Sequence, residues 1–299
     1  MTPPRRVLEG TTYLVTRRCS ERRFFLKPSR TTSEIFLYVL AVAARRYDVL
    51  VHSLCVLSNH CHLIVTDSRG QLPAFMQYLD SLVARAANAS LGRYEGFWAT
   101  DGSYSAVEPL DPADVVAKTA YVLANPVAAG LVRRGAEWPG LWTAPDQIGV
   151  AKLTARKPTV FFDPKGYMPA SVELDLTVPP GFPSATEFRT ALSAALRALE
   201  DKHQAELQSQ GRRFLGAARV LAQNPFARPE VGEPRFDLKP RIAARDKWRR
   251  IEGLLRLKAF LREYRQAWVE RRSGTTDVRF PAGTYLLRVL HGVQCAGAA

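Results

Sequence analysis

The chain has 299 residues, room for one ordinary domain and a second part, and 46% of them are hydrophobic against 23% charged, which excludes a disordered or fibrous polypeptide. Its 42 Lys and Arg against 28 Asp and Glu leave a formal charge of +14, a balance that favours polyanionic partners, nucleic acid first and an anionic membrane surface second. No uninterrupted apolar run approaches the ~18 residues of a spanning helix, and Met1-Thr2-Pro3-Pro4-Arg5-Arg6 leads into no apolar signal core, so a cytoplasmic protein without a membrane segment is expected.

Along the chain, Thr11 to Cys19 is rich in β-branched and aromatic residues and reads as a strand. Ser33 to Tyr47 carries apolar residues at helical spacing (Ile35, Leu37, Leu40, Val42, Ala43), with Thr32 or Ser33 as cap. Val49 to Leu57 and His60 to Thr66 are apolar runs separated by Ser58-Asn59, a tight hairpin connection. A helix follows from Leu72 to Leu91, stopped by Gly92, and then a short strand from Ser103 to Val107. Asp111-Pro112-Ala113-Asp114 announces another helix that should end at Asn125, before Pro126. The order β-α-β-β-α-β-α suits a small antiparallel or mixed sheet with helices on one face.

Residues 1–148 form this first domain. The turn-rich stretch 149–183 is a linker with room for a short strand pair. Residues 184–299 read as a mainly helical, basic extension: Ser184 to Gln210, Arg212 to Gln223, a proline-rich connector from Phe226 to Pro240, and Arg241 to Arg272. That last segment holds 11 Lys and Arg against 4 Asp and Glu, which makes it a candidate DNA-contacting surface. Phe280 to Tyr285 reads as a turn entering a strand. Cys19, Cys55, Cys61 and Cys295 form no Cys-x-x-Cys pair, so reduced structural thiols are expected. No phosphate-cradling glycine loop and no Gly-x-Ser-x-Gly elbow is present, which leaves ATP-driven and serine-hydrolase chemistry without support.

Two clusters can carry chemistry. In His60-Cys61-His62 the alternation of a strand puts both imidazoles on one face and turns Cys61 to the other. Two such imidazoles can grip a divalent metal, although strand histidines also occur as half-buried residues with satisfied hydrogen bonds. Tyr121 and Asn125 stand four apart, so the phenol and the amide share a helix face. An amide oxygen suits magnesium or manganese; a helical Tyr can equally be core, and an Asn before Pro a terminator. Taken together the four residues form a complete set, with two imidazoles and an amide oxygen for a metal and a phenol for a nucleophile.

Those residues carry a resemblance. Leu57-Ser58-Asn59-His60-Cys61-His62-Leu63-Ile64-Val65 resembles the HUH motif (His, hydrophobic, His) of the single-tyrosine transposases of the insertion-sequence-200 type. Tyr121-Val122-Leu123-Ala124-Asn125-Pro126-Val127-Ala128-Ala129-Gly130-Leu131-Val132 is similar to the tyrosine-helix signature of the REP-associated tyrosine transposases, and Tyr13 to Arg18 to their first strand. The likeness spans about Gly10 to Trp142 and departs from the pattern at Cys61, in the hydrophobic position, and at Ser58, where a proline is expected.

The resemblance implies an α+β, ferredoxin-like (RRM-like) nuclease domain with an antiparallel sheet. It implies His60, His62 and Asn125 as ligands of Mg2+ or Mn2+ and Tyr121 as the nucleophile of a single-strand DNA nickase and strand transferase. The reaction would pass through a 5'-phosphotyrosine, and the partner would be single-stranded or hairpin DNA. A monomer or a homodimer is compatible with it. Arg17, Arg18, Lys118 and Arg85 are the expected DNA contacts, with Arg22, Arg23 and Arg93 nearby, and Phe97 and Trp98 are candidates for stacking on an extruded base. The alternatives are a DNA- or RNA-binding protein that keeps the fold without chemistry, and a replication initiator or relaxase sharing the same two histidines.

Overall fold

The computed structural model describes residues 4–100, 102–230 and 240–297. Five strands build one mixed sheet in the order β2-β3-β1-β4-β7: β1 (Thr11–Arg18), β2 (Val49–Leu57), β3 (His60–Asp67), β4 (Ser105–Pro109) and β7 (Ile242–Ala243). The four longer strands pair antiparallel, as expected, whereas β7, supplied by the extension, joins β4 in parallel through Glu108 opposite Ile242. A separate antiparallel pair, β5 (Lys152–Arg156) and β6 (Ser171–Asp175), lies in the stretch 149–183.

Helices cover both faces of the sheet, not one. On the first face Tyr13, Val15, Leu63 and Val65 meet α1 (Arg30–Tyr47), α2 (Leu72–Ser90) and the β5–β6 pair in one core. On the second, Leu14, Cys55, Leu57 and Ile64 meet α3 (Pro112–Ala128) and α4 (Ala185–Ser209). The signal for this was present in the sequence: β2 is apolar on both sides of His52-Ser53 and the middle of β3 is a continuous apolar run, the pattern of strands buried on both sides, and not the alternation of a one-sided sheet. Each large side chain so buried, such as Phe36, Phe75 or Phe188, stabilises the fold by roughly 1.5–3 kcal/mol.

Local hydrogen bonds set several boundaries differently from the pattern reading. The cap of α1 is Ser29, whose hydroxyl accepts from the Thr32 N–H at 3.0 Å, so the helix starts a turn early. At the start of α3, Asp111 makes no side-chain cap; its carboxylate faces Arg249 instead. Pro126 does not end α3, which continues to Ala128. In the last turn a proline deletes only one hydrogen bond, and the end is made by Gly130 at φ 71°, with Gly130 N–H bonded to Val127 O and Leu131 N–H to Pro126 O, both at 2.9 Å.

In the extension, the helix expected from Arg212 to Gln223 shrinks to α5 (Ala217–Leu221). The preceding backbone is drawn out of helical geometry because Leu215 and Gly216 donate to the carbonyls of Gly130 and Leu131. The helix expected from Arg241 begins at Lys247 as α6 (Lys247–Arg272), capped by Asp246. The turn at Phe280 to Tyr285 leads into a helix, α7 (Leu286–His291), rather than a strand; Thr284 closes it through its N–H and hydroxyl on the Pro281 carbonyl. Of the connector Phe226 to Pro240, residues 231–239 lie outside the described residues. Among the described residues no helix is long and apolar enough to cross a membrane, and all four cysteines are free thiols.

Candidate active site

The hairpin β2–β3 places the histidines. Leu57 pairs with His60 across the two-residue turn, and the register sets Thr16 opposite His62 and Arg18 opposite His60. His60 and His62 therefore stand on the α3 side of the sheet with Thr16 and Arg18, while Cys61 turns into the α1/α2 core. The two imidazoles meet edge to face, 4.8 Å between ring centres at 88°. Ser58 donates to the Gln223 side chain at 2.9 Å and its carbonyl accepts from Leu26 N–H, so contacts to distant segments brace the turn where proline was expected.

Across the second face, α3 brings Tyr121 over this pair. Its ring lies 5.6 Å from that of His62, tilted by 75°, and remains 44% exposed. One turn further along α3 is Asn125, buried at 8% exposure. The Lys118 ammonium is 5.9 Å from the Tyr121 ring centre. Tyr121 thus stands at the rim of the site, reachable by solvent, where the rest of the turn around it is packed in the core.

Burial first, and then the electrostatic influence of the neighbouring His60 and Arg18, push the His62 imidazole well below its ordinary pKa, so at neutral pH it is an uncharged ring with a lone pair to offer. Its Nδ1 lies 2.8 Å from the Thr16 hydroxyl, and its Nε2 is buried without a hydrogen-bond partner among the described residues. The Nδ1 of His60 lies 2.6 Å from Oδ1 of Asn59. An orphaned buried nitrogen beside a second imidazole fits the donor set of a divalent metal, since nothing else in the described site satisfies that lone pair. Among the described residues no group of three or more His, Cys, Asp and Glu stands together to hold a metal ion, so the two imidazoles have no carboxylate or thiolate beside them.

Not every expected contact comes to this place. Arg17 points into the opposite layer, where its Nε is 3.1 Å from Asp80 and its guanidinium donates to the carbonyls of Ala99, Gly102 and Ser103. Burial raises the Asp80 carboxyl to about 7, with Arg17 pulling it back. Arg85 lies on the exposed side of α2, 5.5 Å over the Phe161 ring, in the same far layer. Arg93 stacks on Phe25 at 3.7 Å. Phe97 and Trp98 are both buried, Trp98 donating to the Asp80 carbonyl, so neither is presented for base stacking. Arg18 and Lys118 are the two expected cations that flank the histidines and the tyrosine.

Sequence reasoning missed three contributors. Thr16 and Asn59 were passed over as strand and turn residues. The third is the turn Ser20 to Arg23, in which Glu21 and Arg22 both hold positive φ, 50° and 60°. Two consecutive left-handed non-glycine residues cost of order 1 kcal/mol each. What the turn sets up is the Arg22 carbonyl, which accepts from Nδ2 of Asn59 at 3.2 Å. Strand alternation puts Thr16 on one face with Arg18 but does not say which strand lies beside it, and the turn left no signal in residue type.

No protein-family model matches the chain, and no curated protein matches it in sequence. Among solved structures, it is similar to a REP-associated tyrosine transposase bound to a REP hairpin, with a TM-score of 0.42 and 18% identity over 49% of this chain and 85% of that one. It is also similar to a protein of Deinococcus radiodurans R1 assigned as a transposase, with a TM-score of 0.28 and 17% identity over 36% of this chain and 85% of that one.

Proposed function

We propose that the protein is a metal-dependent transposase-type enzyme that nicks and rejoins single-stranded or hairpin DNA through Tyr121. The observation that carries this reading is the approach of a half-exposed phenol on α3 to a pair of imidazoles on β3, one with a buried lone pair and no partner. A Tyr packed as core would be covered, and a pair of structural histidines would have both nitrogens satisfied. The sheet order β2-β3-β1-β4, with its βαββαβ connectivity, supports a ferredoxin-like nuclease domain.

In this reading His60, His62 and Asn125 hold magnesium or manganese, which when bound neutralises charge developing on the oxygens of the scissile phosphate. The work of the chain itself is positioning. The Tyr121 hydroxyl attacks phosphorus, the bond to the 3' oxygen breaks, and a 5'-phosphotyrosine forms. The phenol proton leaves to the solvent that reaches this rim, and the departing 3' oxygen takes one up. Attack by a DNA 3'-hydroxyl on the adduct reverses the bookkeeping: a phosphodiester forms, the phenol is regenerated, and no nucleotide cofactor is consumed. Lys118 and Arg18 supply positive charge for the flanking phosphates.

Helix α6 supports a second DNA contact. It buries only Gly253, Phe260 and Ala267, and Lys258, Arg262, Arg265 and Arg272 recur at helical spacing on its exposed surface. The test is incubation of the protein with labelled hairpin oligonucleotides from the flanks of its own gene in magnesium or manganese, beside Tyr121→Phe and His60→Ala. An adduct that survives denaturation in the wild type and is absent from both variants supports the enzyme; tight binding without an adduct overturns it in favour of a non-catalytic DNA-binding protein.

A further inference from the structure

We infer that Asn59 and Thr16 are positioning residues that hold the two imidazoles in the tautomer with the proton on Nδ1, so that both rings offer Nε2 to one cation. The inference rests on the metal reading of the site and adds to it which groups prepare the ligands. The orientation of the Asn59 amide is decided by its two contacts. Its Nδ2 lies 3.2 Å from the Arg22 carbonyl, which can only accept, so the nitrogen must be there and the oxygen must face His60. That oxygen, 2.6 Å from His60 Nδ1, can only accept as well. His60 Nδ1 therefore carries the hydrogen, and the ring lone pair resides on Nε2.

The carbonyl that begins this relay is itself fixed. Arg22 sits at positive φ in a turn closed by Arg23 N–H on the Ser20 carbonyl at 3.0 Å, and the turn is anchored to the sheet by Cys19 N–H on the Asn59 carbonyl at 2.8 Å. Backbone strain, amide orientation and imidazole tautomer are thus linked in one short loop of contacts.

For His62 the partner is Thr16, whose hydroxyl can donate or accept at 2.8 Å. If the hydroxyl donated, Nε2 would carry a hydrogen aimed into a buried site beside His60, where no acceptor stands among the described residues. If it accepts, Nε2 offers a lone pair to the same cation as His60. The second arrangement makes the two rings equivalent ligands, each with its second nitrogen tied to a side chain of the protein.

The experiment measures two things on the full chain: manganese affinity by titration at pH 7.5, and the imidazole nitrogen resonances of the metal-free protein, which report which ring nitrogen is protonated. In the wild type both rings should show a single Nδ1-protonated tautomer. Thr16→Val and Asn59→Leu should each give a mixture at the affected ring and weaken manganese binding by about 10–100-fold, with Thr16→Ser restoring both readouts. Unchanged tautomers and manganese affinity within twofold in both variants would overturn the inference. His60→Ala and His62→Ala separate it from the reading beneath: if these bind manganese as the wild type does, the metal assignment fails, while the tautomers of the metal-free chain still decide the roles of Asn59 and Thr16. Should Asn59→Leu lose its thermal transition, Thr16→Val decides alone.

Discussion

Tyr121 and His62 are 59 positions apart in the chain, yet their rings stand 5.6 Å apart at 75°, an edge-to-face contact between a helix and the strand next to the centre of the sheet. The contact is made by the ring, while the side chain stays 44% exposed. It separates what the ring does for packing from what the oxygen does for chemistry.

That separation makes Tyr121→Phe a clean substitution. Its ring contact remains, so the unfolding free energy should stay within about 0.5 kcal/mol of wild type, while covalent capture of DNA should vanish. A circular-dichroism melt beside a denaturing gel checks both halves. Loss of stability of several kcal/mol would mean the hydroxyl has a structural role.

His52 predicts a pH dependence away from the site. It bulges out of β2 between Val51 and Ser53, with its ring nitrogens on the Thr177 carbonyl and the Thr66 hydroxyl. Burial lowers its pKa to about 4 from 6.5. Between those values the unfolded chain binds the proton and the folded chain does not, so stability rises with pH across that window and is lost on acidification. The full shift corresponds to roughly 3 kcal/mol. His62 moves in the same direction, so the share of His52 is read as a difference: denaturant unfolding at pH 4.5 and pH 7.5 should show a smaller pH effect in His52→Gln than in the wild type.

Gly135 predicts a steric limit on the support of α3. A Cβ at this position would stand 2.7 Å from the Leu123 carbonyl oxygen and 2.8 Å from the Trp142 ring. The first is helix backbone, and Trp142 is itself bonded to that carbonyl, so neither gives way easily. Gly135→Ala should cost about 1–3 kcal/mol, measured by denaturant unfolding; a neutral outcome would mean that the Gly135 turn moves off α3 without penalty.

Charge removal on α6 predicts a change in salt dependence rather than in cutting position. With Lys258, Arg262 and Arg265 replaced by Ala, the slope of log affinity for a hairpin against log salt should become shallower by about 2 to 3, while the pattern of cleavage stays the same. An unchanged slope would remove α6 from the DNA-contacting surface.

The sequence by itself determined the strands and helices from β1 to α3 and the chemically distinctive residues, because periodicity and residue type are local. The hairpin at Ser58-Asn59, the paired projection of His60 and His62 and the four-residue spacing of Tyr121 and Asn125 were all readable from the chain. What the local pattern misjudged was decided by partners far away in sequence. Gly130 and Leu131 draw residues 215 and 216 out of a helix, and Gln223 braces the turn at Ser58. Only the tertiary structure set the register that puts Thr16 beside His62 and carried α3 to the second face of the sheet, which brought Tyr121 to the histidines. The physical reason is that a strand pattern states which residues share a face but not what covers it. Which helix covers each face is decided by chain connectivity and by burial of apolar surface on both sides, and no window of local sequence contains either.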